Sequence, residues 1–130
     1  AGTQNVCGIC GLAAGLRFVQ QQTPQRLLAH EVRQRKLLTS LLTDVPGVRL
    51  FTGEPQSGTL SLCAAQMDCE TLAARLAVKG VCVRAGLHCA PLAHESAGTL
   101  ETGTVRFSLS AFNTEQEIFR TADLLKEILA

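Results

Sequence analysis

The feature that most restricts how this chain can fold is a change of hydrophobic period at Pro46–Gly47. Upstream the apolar residues recur at helical spacing. Residues 6 to 21 (VCGICGLAAGLRFVQQ) are apolar with small residues on several sides, which suits a helix packed closely against a neighbour. In the next segment, TPQRLLAHEVRQRKLLTSLLTDVPG, Thr23 is placed to N-cap a helix and Pro24 to fill its first position. Leu28, Val32, Leu38, Leu42 and Val45 form its stripe, with Arg26, Arg33 and Lys36 elsewhere around it. Downstream, VRLF (48–51) and TLSLCA (59–64) alternate apolar and polar, as half-buried strands do, with GEPQSG between them as a loop.

The remainder mixes both periods. In DCETLAARLAVKG, Asp68 is the expected cap, Leu72, Leu76 and Val78 the packed residues, and Gly80 the stop. VCVRA (81–85) reads as a strand, followed by an irregular loop to about residue 103. TVRFSLS (104–110) is the clearest strand, with Val105, Phe107 and Leu109 on one face. In the closing segment Thr114 and Glu117 have capping-box spacing, and Ile118, Ala122, Leu125 and Leu129 supply a buried stripe. The expected fold is α/β (α+β): two N-terminal helices, then β-β-α-β-β-α, with a small, mainly antiparallel sheet and helices on one face. Period two then puts Arg106 and Arg84 on the opposite face, beside the loop that carries Cys89.

Composition narrows the function classes. With 130 residues, the chain suffices for one compact domain. Twelve basic against eleven acidic side chains leave no basic surplus for nucleic acid, and five Phe with no Trp or Tyr argue against base stacking. No apolar run reaches the roughly 18 residues of a membrane span, and no signal peptide opens the sequence. The six cysteines lack regular spacing and read as reduced thiols, mostly small buried hydrophobes, in a cytoplasmic protein. The first residue is Ala, which reads as a processed or cut end.

The chemistry concentrates in VCVRAGLHCAPLAH, residues 81 to 94, which gathers Arg84, His88, Cys89 and His94. A neighbouring cation favours the thiolate form of a cysteine, so Cys89 is either a nucleophile or a structural thiol. Arg84 and Arg106 are either surface charges paired with an acid such as Glu101, or a carboxylate-recognising pair. CGIC (7–10) lacks the context of a redox or zinc motif and reads as two small residues in a packed helix. Zinc on His88, Cys89 and His94 is disfavoured because adjacent His and Cys rarely bind one ion, and no metal is expected. His30 reads as a solvated residue on the basic side of the second helix.

The segment VRAGLHCAPLAH, followed by GTLETGTVRFSLSAFNTEQEI, closely resembles the C-terminal domain of the cysteine desulfurases and selenocysteine lyases. These are fold-type-I pyridoxal-phosphate (PLP) enzymes of the class V aminotransferase superfamily. The carrying motifs are Arg-Ala-Gly-x-His-Cys and Arg-x-Ser-x-x-x-x-Asn, and the opening AGTQN is similar to a Gly-Thr-Pro-Asn motif with Gln4 in place of Pro. The resemblance implies that residues 1–22 end a large PLP domain and that residues 23–130 form the small C-terminal domain. It implies Cys89 as the nucleophile that takes sulfur from L-cysteine as a persulfide while alanine leaves. It implies Arg106 as the grip on the substrate carboxylate, with Arg84 and His88 bordering that pocket. It further implies Thr3, with Gly2 beside it, reaching the cofactor phosphate of the partner subunit in a homodimer, and a sulfur-acceptor protein downstream.

Such chemistry needs a lysine to hold PLP. Lys36, Lys79 and Lys126 all fall in helical segments, and none follows a His as the family's lysine does. The expectation is therefore a fragment that binds no PLP and is inactive alone, belonging to an active parent. The alternatives are a stand-alone binding or regulatory module of the same layout, or a thiol or zinc protein built on CGIC and Cys89.

Overall fold

The computed structural model describes residues 2–130; Ala1, the first residue of the expected 1–22 segment, lies outside them. Helix α1 spans Val6–Gln22 and α2 Pro24–Leu42; strands β1 (Val48–Phe51) and β2 (Thr59–Ala64) follow. Then come α3 (Cys69–Val78), β3 (Arg84–Gly86), α4 (Pro91–Ala97), β4 (Thr104–Ser108) and α5 (Glu115–Leu129). The strands form one sheet in the order β1-β2-β4-β3, antiparallel throughout.

Local chemistry sets the helix ends. Thr23 caps α2 ahead of Pro24, Asp68 accepts from the Thr71 amide to start α3, and Thr114 with Glu117 makes a reciprocal capping box on α5. Helices α2, α3 and α5 cover one face of the sheet. Leu38 and Leu42 from α2, Leu72 and Leu76 from α3, and Ile118, Ala122 and Leu125 from α5 close over Leu60, Leu62, Val105 and Phe107. Each fully buried leucine contributes about 1.5–3 kcal/mol of transfer free energy.

Several expectations are corrected. Of the expected strand 81–85 only Arg84 and Ala85 pair, and β3 runs on to Gly86, because the Val81 amide bonds to the Leu76 carbonyl and closes the end of α3 instead of joining the ladder. The expected loop to residue 103 contains α4, started by Pro91 at its first turn. Val78 and Leu28 are exposed: α3 turns Cys69, Leu72 and Leu76 inward, and α2 buries Gln34 and Arg35 beside Leu38. The two terminal nitrogens of Arg35 reach Glu54 (3.1 Å) and Gln56 (2.9 Å) in the β1–β2 loop, while its enclosed Nε has no partner. His30 is half-buried rather than solvated, its Nε2 lying 3.0 Å from the Asn113 carbonyl.

Helix α1 is not tightly packed. None of its residues is buried, and Val6, Ile9, Leu12 and Leu16 are all more than half exposed. Phe18 anchors it by stacking on Phe112, ring centroids 5.3 Å apart. No helix among the described residues is long and apolar enough to cross a membrane.

Candidate active site

β3 and β4 run antiparallel with Arg84 directly opposite Arg106. Residues opposed in this way share a face, here the one turned away from α2, α3 and α5. Two like charges so placed repel, and neither is ion-paired among the described residues. The expected alternative, neutralisation by Glu101, is not what the structure has. Arg106 is half-buried, and its Nε is enclosed without a hydrogen-bond partner.

After Gly86 the chain turns back over this face. The Ala90 amide bonds to the Leu87 carbonyl at 2.9 Å, and His88 and Cys89 both take left-handed conformations (φ 54° and 61°). Consecutive non-glycine residues there are uncommon and need surroundings that fix them. The turn delivers the exposed Cys89 to Arg84, whose Nη2 lies 3.6 Å from the Cys89 Sγ. Gly103 lets the chain entering β4 pass close to Gly86 at the end of β3: φ is 62°, and a Cβ there would meet the Gly86 Cα at 2.9 Å and the Cys69 Sγ at 3.0 Å.

His88 turns inward, with Nε2 3.0 Å from the Thr104 hydroxyl and Nδ1 enclosed without a partner. Burial holds its pKa below the usual histidine value, and the charges of Arg106, His94 and Arg84 push the same way. The ring is therefore neutral at neutral pH. His94 is buried behind it, ring centroids 5.6 Å apart, with Nδ1 2.8 Å from the Thr99 hydroxyl. α4 is tethered over the face by Arg49, which donates to the Ala97 carbonyl at 3.1 Å.

Cys89, Arg84, Arg106 and His88 are thus brought together. Gly2 and Thr3 sit in the exposed lead-in to α1, a helix that packs on α2. No group of three metal-ligating side chains forms among the described residues. Four of the six thiols are exposed, contrary to expectation, among them Cys7 and Cys10 on the open side of α1. Cys69 is buried beside Glu70, and its pKa is pushed up to about 11 by burial first and the carboxylate second. Sequence reasoning missed Thr104, although period two from Arg106 already places it on the site's face.

The aminotransferase class-V family profile matches residues 1–120. A probable cysteine desulfurase of Methanothermobacter thermautotrophicus is 34% identical over 132 residues, spanning 98% of this chain and 33% of that protein. A cysteine desulfurase of Synechococcus elongatus is 36% identical over 129 residues, covering 98% and 20%. Among solved structures, the apo cysteine desulfurase of Thermococcus onnurineus superposes with TM-score 0.87 at 28% identity, over 99% of this chain and 32% of that one. An Escherichia coli cysteine desulfurase in an S-sulfonic acid form gives 0.86 at 28%, over 99% and 32%. The chain spans about a third or less of the length of these relatives. With its sheet, helices and profile match in agreement, the chain belongs to the class-V aminotransferase family.

Proposed function

We propose that this chain is part of a longer PLP-dependent cysteine desulfurase, with residues 1–22 ending its large domain and residues 23–130 forming its small C-terminal domain. The observation that carries the reading is the contact of the Cys89 thiol with Arg84, on the rung where Arg84 faces Arg106. A thiol and two unneutralised guanidinium groups on one face of the sheet suit a substrate that presents both a carboxylate and a sulfur. The exposed apolar stripe of α1 favours a larger protein over a stand-alone module, since such a stripe marks a surface made to be covered.

In this reading Arg106 grips the substrate carboxylate, and Arg84 and His88 border the pocket. Cys89 accepts the sulfur: a sulfur–sulfur bond forms as the substrate's carbon–sulfur bond breaks. The electron pair stays on carbon, which takes up a proton and leaves as alanine. Thr3 and Gly2 face the cofactor phosphate of the partner subunit in a homodimer, and a sulfur-acceptor protein relieves Cys89 of its persulfide in the cytoplasm.

The residues present do not fit the cofactor alone. No lysine shares the face of Arg84 and Arg106; Lys79, on the edge of α3, pairs with Glu127 at 2.9 Å. We therefore assign the cofactor's lysine and phosphate cradle to the large domain and expect the 130-residue chain alone to be inactive.

The test compares full-length protein with this chain for visible absorbance of bound PLP and for alanine release from L-cysteine. The expected result is a yellow, active full-length protein and a colourless, inactive chain. A full-length protein that binds PLP but leaves L-cysteine intact overturns the substrate. One that binds no PLP overturns the whole reading.

A further inference from the structure

We infer that Thr104 is a positioning residue for the thiol: its hydroxyl, paired with His88, holds His88 and Cys89 in their left-handed turn so that Cys89 meets Arg84. Thr104 starts β4 and is only 3% exposed, so solvent does not satisfy its hydroxyl. The His88 Nε2 at 3.0 Å is the partner it has among the described residues. Directly opposite stands Gly86, the last residue of β3 before the turn. A bond from residue 104 to residue 88 therefore closes the turn onto the strand it has just left.

The two residues so held are the strained pair, with φ 54° and 61°. A left-handed residue without glycine's freedom persists where its surroundings over-determine it. Three restraints act here. The Ala90 amide bonds to the Leu87 carbonyl, the buried His94 ring backs His88, and Thr104 fixes the far end of the His88 ring. Of these, Thr104 alone also belongs to the rigid ladder that sets Arg106 opposite Arg84. It thereby ties the position of the sulfur to that of the guanidinium pair. The groups facing His88 are Arg106, Arg84 and His94, and they favour the neutral ring that exchanges this hydrogen bond.

Thr104→Val keeps shape and burial but removes the hydroxyl; Thr104→Ser keeps the hydroxyl; His88→Leu removes the same bond from a half-buried position, should Thr104→Val fold poorly. In full-length protein, the rate of iodoacetamide alkylation is mapped by mass spectrometry at Cys89, with exposed Cys82 as internal reference. The expected result is a fall at Cys89 of roughly tenfold in Thr104→Val and His88→Leu, no change at Cys82, and recovery in Thr104→Ser. An unchanged Cys89 rate in Thr104→Val and His88→Leu overturns the inference, as does an equal fall in Thr104→Ser. The turnover arm rests on the desulfurase reading: kcat falls with KM for L-cysteine little changed. The alkylation arm does not, so a protein inactive on L-cysteine that still shows the alkylation pattern separates failure of that reading from failure of this one.

Discussion

Arg84 and Arg106 stand opposite one another across the β3–β4 ladder with no ion-pair partner among the described residues, and Arg84 reaches the Cys89 sulfur at 3.6 Å. A cross-strand pair of like charges opposes folding by a few tenths of a kcal/mol. Arg84→Gln should therefore leave the urea-unfolding free energy of this chain unchanged or raise it by up to about 0.5 kcal/mol. A clear loss would mean that Arg84 has a stabilising role the ladder does not account for.

Arg106→Lys exchanges a planar fork for a point charge. In full-length protein kcat/KM for L-cysteine should fall roughly 10- to 100-fold, with secondary structure by circular dichroism intact. An unaltered kcat/KM would place carboxylate recognition elsewhere.

Gly103 lies at φ 62°, where an added Cβ would crowd Gly86 and Cys69. Gly103→Ala should cost about 1–3 kcal/mol by urea unfolding. Val78→Ala, at an 87% exposed position, should stay within about 0.5 kcal/mol. Leu62→Ala, fully buried, should cost about 2–5 kcal/mol.

The His88 pKa lies below the usual value chiefly through burial, then through Arg106, His94 and Arg84. A depressed histidine binds fewer protons folded than unfolded, so stability is full above about pH 6.5. It declines as pH drops from there toward the folded value. Asp68 and Glu117, both lowered first by backbone amide bonds, lose their contributions further into acid, with the same sign. Urea midpoints of the wild-type chain should fall more between pH 7.5 and pH 5.5 than those of His88→Gln; parallel profiles would contradict the assignment.

The thiols should separate by environment. Cys69, with its pKa at about 11, should resist iodoacetamide at pH 8, while exposed Cys7, Cys10 and Cys82 react first. Mapping alkylated peptides over time checks the order.

The alternation of Val105 and Phe107 with Arg106 was legible because side chains on a strand alternate by geometry alone, and the same rule placed Arg84 beside it. The caps at Thr23, Asp68 and Thr114 were legible because each acts within one turn of its own helix. The fate of Val81–Val83 was not: a β-branched run reads as strand, but the Val81 amide is taken by the end of α3. The burial of Arg35 depends on Glu54 and Gln56 about twenty residues away, which no local pattern encodes. The bond from His88 to Thr104 is likewise a contact across the fold, between residues sixteen apart, so the partner of His88 was not readable from its own segment. The apolar stripe of α1 read as packed because hydropathy records what a surface needs, whether or not this chain supplies it.

The most direct test of the account is mass spectrometry of the Cys89 peptide from full-length protein after brief exposure to L-cysteine. The account predicts one added sulfur atom on Cys89, absent after reduction and not formed in Arg106→Ala. Alanine release with no sulfur on Cys89, or with sulfur first on Cys82, would contradict it.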